Sequence, residues 1–309
     1  MFRIEKKSDC KEVYLFGKKL FSINKYSNAT LLKKIDSLQS VMQFTFNIED
    51  MKKARGTLRD IQLAELKILK EIKRVCSQNN ITWWIDFGTL LGAARHKGFI
   101  PWDDDIDICM MRDDFTSFIE TFNKHTSDKN LKAGLYTSES GIYNMIKISH
   151  QEIPNLFIDI FPVDLRYQTM DDAQKLDFSK KLRTQVLKNA KLKKKCKTPE
   201  EFFKKIMQSR NETISNLKPN NKVIKPTVFY GLEYYHSTHL YNAFDYDTIF
   251  PLQDIEFEGE MFPSVAKPDL YLTYTFGDYM QLPKILHIHT NMNKMPIDNI
   301  IKIKKYISA

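Results

Sequence analysis

Residues 81–110 read ITWWIDFGTLLGAARHKGFIPWDDDIDICM, and the reading of this stretch decides the fold. Residues 81–87 are aromatic and β-branched, as strands are. Gly88-Thr89 turns the chain, residues 90–97 suit a short helix, and Gly98 stops it. Asp105-Ile106-Asp107-Ile108 then alternates polar with apolar, the pattern of a second, half-buried strand. Side chains two apart on a strand share a face. Asp105 and Asp107 therefore point together, Asp103 joins them if the strand begins early, and Asp104 points away.

Two carboxylates side by side repel unless a cation lies between them. A hard divalent ion, Mg²⁺ or Mn²⁺, is the expected answer, because such ions take carboxylate oxygens together with substrate phosphates. A solvated acidic loop is the plainer alternative, and the apolar Ile106 and Ile108 argue against it. Gly88 and Thr89 open a helix whose first N–H groups can receive a phosphate. Arg95, His96 and Lys97, two turns on, can meet further phosphate charge, although cations also suit a helix C-terminus for its dipole alone.

Working outward, residues 155–164 read NLFIDIFPVD. Asp159 lies within an apolar, strand-like run, where an unpaired carboxylate would be costly. It is expected as the third metal-binding carboxylate. Asp164, beyond Pro162, is the reserve, with loop capping as its alternative role. Upstream, Leu58, Ile61, Leu69, Ile72, Val75 and Cys76 recur at helical spacing. Residues 28–44 suit another helix, and residues 11–24 read as a hairpin around Gly17-Lys18-Lys19. No repeat of 20–50 residues is visible.

Composition bounds the rest. The 309 residues are 42% hydrophobic and 28% charged, enough for a sizeable core. No apolar run reaches the ~18–20 residues of a bilayer span, and the charged start has no secretory pattern. The four cysteines are scattered, which fits a reducing, cytoplasmic setting and disfavours a zinc cluster. Net charge is +9. Residues 180–210 hold twelve Lys/Arg against two acids, a solvated helix face or a surface for anionic lipid, consistent with peripheral membrane association.

The run GTLLGAARHKGFIPWDDDIDI, with FIDIFPVD at 157–164 and FGDYMQLP at 276–283, resembles the signature blocks of the LicD family, in family order. The resemblance implies an α+β fold similar to the polymerase beta-like nucleotidyltransferases, with a mixed sheet flanked by helices. The three blocks cover about residues 57–289, and a catalytic domain is expected over residues 51–309, with a basic helical insertion at about 171–225 that matches no family feature. Residues 1–50 would be a small accessory element with a β-hairpin. Family members transfer phosphocholine from CDP-choline to a hydroxyl of a cell-surface glycan, and the fukutin-type relatives transfer ribitol phosphate. Carried over by motif, Gly88 and Thr89 match the phosphate-binding turn, Asp105 and Asp107 the metal pair, and Asp159 the third carboxylate. Lys147, in NMIKIS, matches a lysine that can hold phosphate, with Arg95 beside the same donor. The expected partners are a CDP-alcohol and a glycan acceptor, not nucleic acid. A choline headgroup would need aromatic faces; Trp102 and Trp84 flank the motif, with Asp103 and Asp164 as further substrate contacts. Core packing is the alternative for each tryptophan. The segment following Leu282-Pro283 lacks the arginines common in the family. A nucleotide-sugar glycosyltransferase using the Asp-x-Asp pair is the competing enzyme class; a non-catalytic binder of anionic lipid or polysaccharide is the third possibility.

Overall fold

The computed structural model describes residues 2–6, 10–15, 18–24, 37, 48–218, 225–234, 242–282 and 295–309. The chain forms two compact units, Met1–Asp50 with Gln281–Lys284, and the remainder. In the first unit β1 (Phe2–Lys6), β2 (Cys10–Leu15) and β3 (Lys18–Asn24) make an antiparallel meander, with a bulge between Val13 and Tyr14. The anticipated hairpin is β2–β3. The helix expected over 28–44 lies, apart from Ser37, outside the described residues.

The second unit is built on a mixed sheet in the order β10-β9-β8-β5-β4, with β7 also on β8 and β6 on β7. Its strands are β4 (Trp83–Ile85), β5 (Asp107–Met111), β6 (Leu131–Thr137), β7 (Asn144–His150), β8 (Phe157–Arg166), β9 (Thr227–Tyr230) and β10 (Ala243–Asp245). β8 is the spine: it runs parallel to β5 and antiparallel to β7 and β9. Its unbroken apolar run is that of a strand covered on both faces, and Ile158, Ile160 and Val163 are fully buried. A separate ribbon, β11 (Gln253–Phe257) and β12 (Glu260–Ser264), closes at Glu258-Gly259.

Helices flank the sheet. α1 (Thr57–Asn79) buries Ile61, Ala64, Ile68, Leu69, Ile72, Val75 and Cys76, the stripe its periodicity predicts. Its end is set by Asn80 in the left-handed region. α2 (Phe87–His96) and α3 (Arg112–His125) follow β4 and β5 directly. The basic segment folds as α4 (Asp172–Ala190), capped by an Asp171–Gln174 box, and α5 (Pro199–Thr213), capped by Thr198. These two helices share a smaller core of Phe178, Leu182, Val186, Phe202 and Ile206 with Phe229 of β9. α6 (Tyr246–Ile249), α7 (Pro268–Phe276) and α8 (Ile297–Ser308) complete the described elements.

Candidate active site

Helix α2 begins earlier than the sequence suggests. β4 ends at Ile85, and Gly88 and Thr89 are first-turn helical residues rather than a loop. The buried Asp86 carboxylate caps the helix, accepting the Phe87 N–H at 2.7 Å. The Trp84 indole N–H at 2.9 Å, the Tyr271 hydroxyl at 2.5 Å and the Tyr230 hydroxyl also donate to it. Burial pushes Asp86 up from the ordinary carboxylate range, against the pull of these donors. Phe87 takes a positive φ of 47°, rare for an aromatic residue, and edge contacts with Phe161 and Tyr234 hold it there. The strand thus breaks sharply into a helix whose N-terminus faces the acidic residues.

Strand β5 likewise starts at Asp107, two residues later than expected, so Asp105 lies in a loop. Pairing begins only at Asp107, where the chain has a cross-strand partner. That partner is Asp159, directly opposite in the parallel β5–β8 register. The Thr89 hydroxyl accepts the Asp107 N–H at 2.9 Å, and the Asp107 carbonyl accepts the Asp86 N–H at 3.0 Å. Helix N-terminus and acidic strand are locked as one piece. Asp104 does not point away. It is buried, and one carboxylate oxygen from each of Asp103, Asp104 and Asp105 lies within 4.8 Å of the others. Burial, then the charges of Asp105, Asp159 and Asp103, drive the Asp107 carboxyl well above its usual range, with Lys147 opposing.

Lys147 of β7 stands opposite Asp159 and binds both its oxygens, at 2.6 and 2.9 Å. The same ammonium lies 3.5 Å over the Phe157 ring and 4.6 Å over that of Tyr136. Arg95 is buried at the far end of α2, donating to the Tyr279 carbonyl at 2.8 Å. Burial lowers its pKa to about 10, against the stabilising charge of Asp103. Gly88 has a specific reason to lack a side chain: a Cβ there would come 2.9 Å from the Asp103 carboxylate oxygen Oδ2.

Two candidates are engaged elsewhere. Asp164, five residues beyond Asp159 on β8 and therefore on the opposite face, is gripped by Arg112 and Arg210 through four hydrogen bonds of 2.6–3.1 Å. Trp84 is fully buried, its indole spent on Asp86 and its ring edge-on to Phe250 at 5.7 Å. Trp102 is half-buried beside Asp103. Sequence reasoning missed Glu65 and the Asp86–Tyr230–Tyr271 network. Glu65 was findable, because a carboxylate falls among the apolar positions of α1 between Ile61 and Ile68.

The residues suit a metal ion. The oxygens of Asp103, Asp104 and Asp105, all within 4.8 Å of one another, are close enough to share one ion, whereas Asp107 and Asp159 are not in that close group. Gly88 leaves room for the Asp103 oxygen, and the buried Glu65 Oε2 behind the loop has no hydrogen-bond partner.

Fold and cluster together define an α+β protein in which a loop of three aspartates, close enough to share a metal ion, lies between a helix N-terminus and the mixed sheet. A family profile described as LicD/FKTN/FKRP, nucleotidyltransferase domain, matches residues 80–199. Lipopolysaccharide cholinephosphotransferase LicD of Haemophilus influenzae is 30% identical over 258 residues, 74% of this chain and 92% of its own length. An uncharacterized protein of Rickettsia prowazekii is 42% identical over 78 residues, 25% of this chain and 29% of its own. Human ribitol 5-phosphate transferase FKRP is 27% identical over 108 residues, 31% of this chain and 20% of its own. The chain belongs to the LicD family and is a phosphotransferase.

Proposed function

We propose that this enzyme transfers phosphocholine, or a closely related phospho-alcohol, from a CDP-linked donor to a hydroxyl of a cell-surface glycan, with Mg²⁺ held by Asp105, Asp107 and Asp159. The observation that carries the reading is the Asp107–Asp159 pair on adjacent parallel strands, flanked by the three-aspartate loop and the α2 N-terminus. The likeness to the Haemophilus lipopolysaccharide enzyme over nearly its whole length favours choline as the alcohol and lipopolysaccharide or a similar glycan as acceptor. No helix among the described residues is long and apolar enough to cross a membrane. A place on the cytoplasmic face, with the basic α4–α5 segment toward anionic lipid, fits that acceptor.

The acceptor hydroxyl oxygen forms a bond to the phosphocholine phosphorus, giving its proton to a carboxylate of the site, as the bond to the bridging oxygen breaks and CMP leaves with the electron pair. A bound divalent cation supplies charge neutralisation on the diphosphate. The chain's own residues do the rest. The N–H groups of Gly88 and Thr89 orient phosphate oxygens. Lys147 adds a cation beside them, exchanging part of its contact with Asp159 for the phosphate. Thr89 and Asp86 keep Asp107 in register with Asp159, the positioning on which an in-line reaction depends.

The test is thermal stability with CDP-choline, other CDP-alcohols and UDP- or GDP-sugars, each with and without Mg²⁺. A ligand that binds only the folded chain raises its melting temperature by mass action. A CDP-choline shift of several degrees that requires Mg²⁺ and disappears in Asp105→Asn is expected. A response to nucleotide sugars alone overturns the reading in favour of a glycosyltransferase.

A further inference from the structure

Glu65 is 1% exposed, yet its Oε2 has no hydrogen-bond partner, and no ion pair among the described residues involves it. A desolvated carboxylate in that state is expensive, and native interiors rarely keep one without a use. Its place on α1 shows what it faces. Gln62, one turn earlier on the same helix face, donates its amide to the Asp103 carbonyl at 2.9 Å and to that of Ile100 at 3.4 Å. Glu65 continues that face, behind the 103–105 loop. Besides burial, the charges acting on it are those of Asp105, Asp104, Asp103 and Asp159, all of the same sign. Burial first, then these like charges, raise its pKa well above the ordinary carboxylate range, so the carboxyl holds a proton unless positive charge enters beside it.

Asp103, Asp104 and Asp105 bring oxygens within 4.8 Å of one another, whereas Glu65 lies outside that group. Gln62 backs the loop from α1, and Glu65, one turn on, is set behind Asp105. Mg²⁺ and Mn²⁺ usually keep several waters when carboxylates bind them, and groups behind the ligands hold those waters in place. We propose that Glu65 is a positioning residue for the divalent cation at Asp105, its carboxylate accepting a hydrogen bond from a water in that cation's coordination sphere. The inference rests on the cation reading above and extends it to a residue on a different element. It makes α1, through Gln62 and Glu65, the back wall of the metal site.

The experiment is calorimetric titration of the full chain with Mn²⁺, for the parent and for Glu65→Gln, with metal-free melting curves for both. Gln keeps the shape and removes the charge. The expected result is an unchanged or higher metal-free melting temperature with Mn²⁺ affinity weakened about 10- to 100-fold, the range typical of lost outer partners. Equal affinity in the two proteins overturns the role of Glu65 and leaves the cation site standing. Absence of Mn²⁺ binding in the parent overturns the cation reading itself, and this inference with it. Should Glu65→Gln fail to fold, Glu65→Leu is the apolar isostere, and the same outcomes decide.

Discussion

Gly88 and Gly92 both lie on α2, four residues apart, yet their replacement by alanine should fail in different ways. At Gly88 a methyl group would meet the Oδ2 of Asp103, the far end of a side chain that can swing aside. Stability should then change by less than about 1 kcal/mol, as for a tolerated small-to-large change. The displaced carboxylate, however, leaves the three-aspartate group, and Mn²⁺ affinity should drop about tenfold or more. At Gly92 the added atom would meet backbone, the Gly98 carbonyl oxygen at 2.5 Å and the Ile100 nitrogen at 3.0 Å. Backbone cannot swing aside, so Gly92→Ala should cost about 1–3 kcal/mol. Melting curves beside Mn²⁺ titrations separate the two. Equal destabilisation by both would mean that Asp103 is as rigidly held as the main chain.

At the scale of elements, a charged seam joins the second half of α1 to the turn after α3. There, Glu71 accepts from Arg74 at 2.8 Å, from the Ser127 N–H at 2.5 Å and from the Thr126 hydroxyl at 3.0 Å. Burial raises the Glu71 pKa, but these donors outweigh it and bring it down to about 2. A carboxyl whose folded pKa is depressed contributes stability above its unfolded pKa and loses it as pH falls through the folded value. The melting-temperature gap between the parent and Glu71→Gln should therefore be widest above about pH 4.5 and close as pH falls toward 2; solvent screening keeps it modest. A gap constant from pH 7 to pH 3 would sink the assignment. The elements themselves were largely legible in the sequence. The α1 stripe and the apolar run of β8 around Asp159 follow from periodicity and burial. The 103–105 loop was not legible, because alternation alone does not show where ladder pairing begins. Nor was the early start of α2. A strand-like aromatic run conceals that Asp86 caps a helix until Tyr230 and Tyr271, distant in sequence, are seen bonded to it.

Across the second unit as a whole, the basic α4–α5 segment is fastened to the sheet by charge as well as by its own small core. Arg112 at the start of α3 bonds Asp164 of β8 and Glu233 beyond β9, while Arg210 of α5 bonds Asp164 from the other side. Both carboxylates are fully buried. Burial opposes the ionised form of Asp164, yet Arg112 and then Arg210 hold its pKa below the ordinary range. This arrangement explains why the reserve acid of the FIDIFPVD run is absent from the site: the acid that faces Asp107 is Asp159, and Asp164 serves the opposite face. The two arginines are not equivalent. Arg112→Met strips one partner from each of two buried carboxylates and should cost about 3–5 kcal/mol, as breaking a buried ion pair does. Arg210→Met leaves Asp164 its fork to Arg112, so it should cost less and act chiefly on α5. Denaturant unfolding of both variants measures the order. Hydrogen exchange should show protection lost across β8 and α3 in Arg112→Met, and confined to α4 and α5 in Arg210→Met. If Arg210→Met proves the more damaging, the α4–α5 segment is what stabilises the sheet, and the dependence argued from the bonding pattern runs the other way.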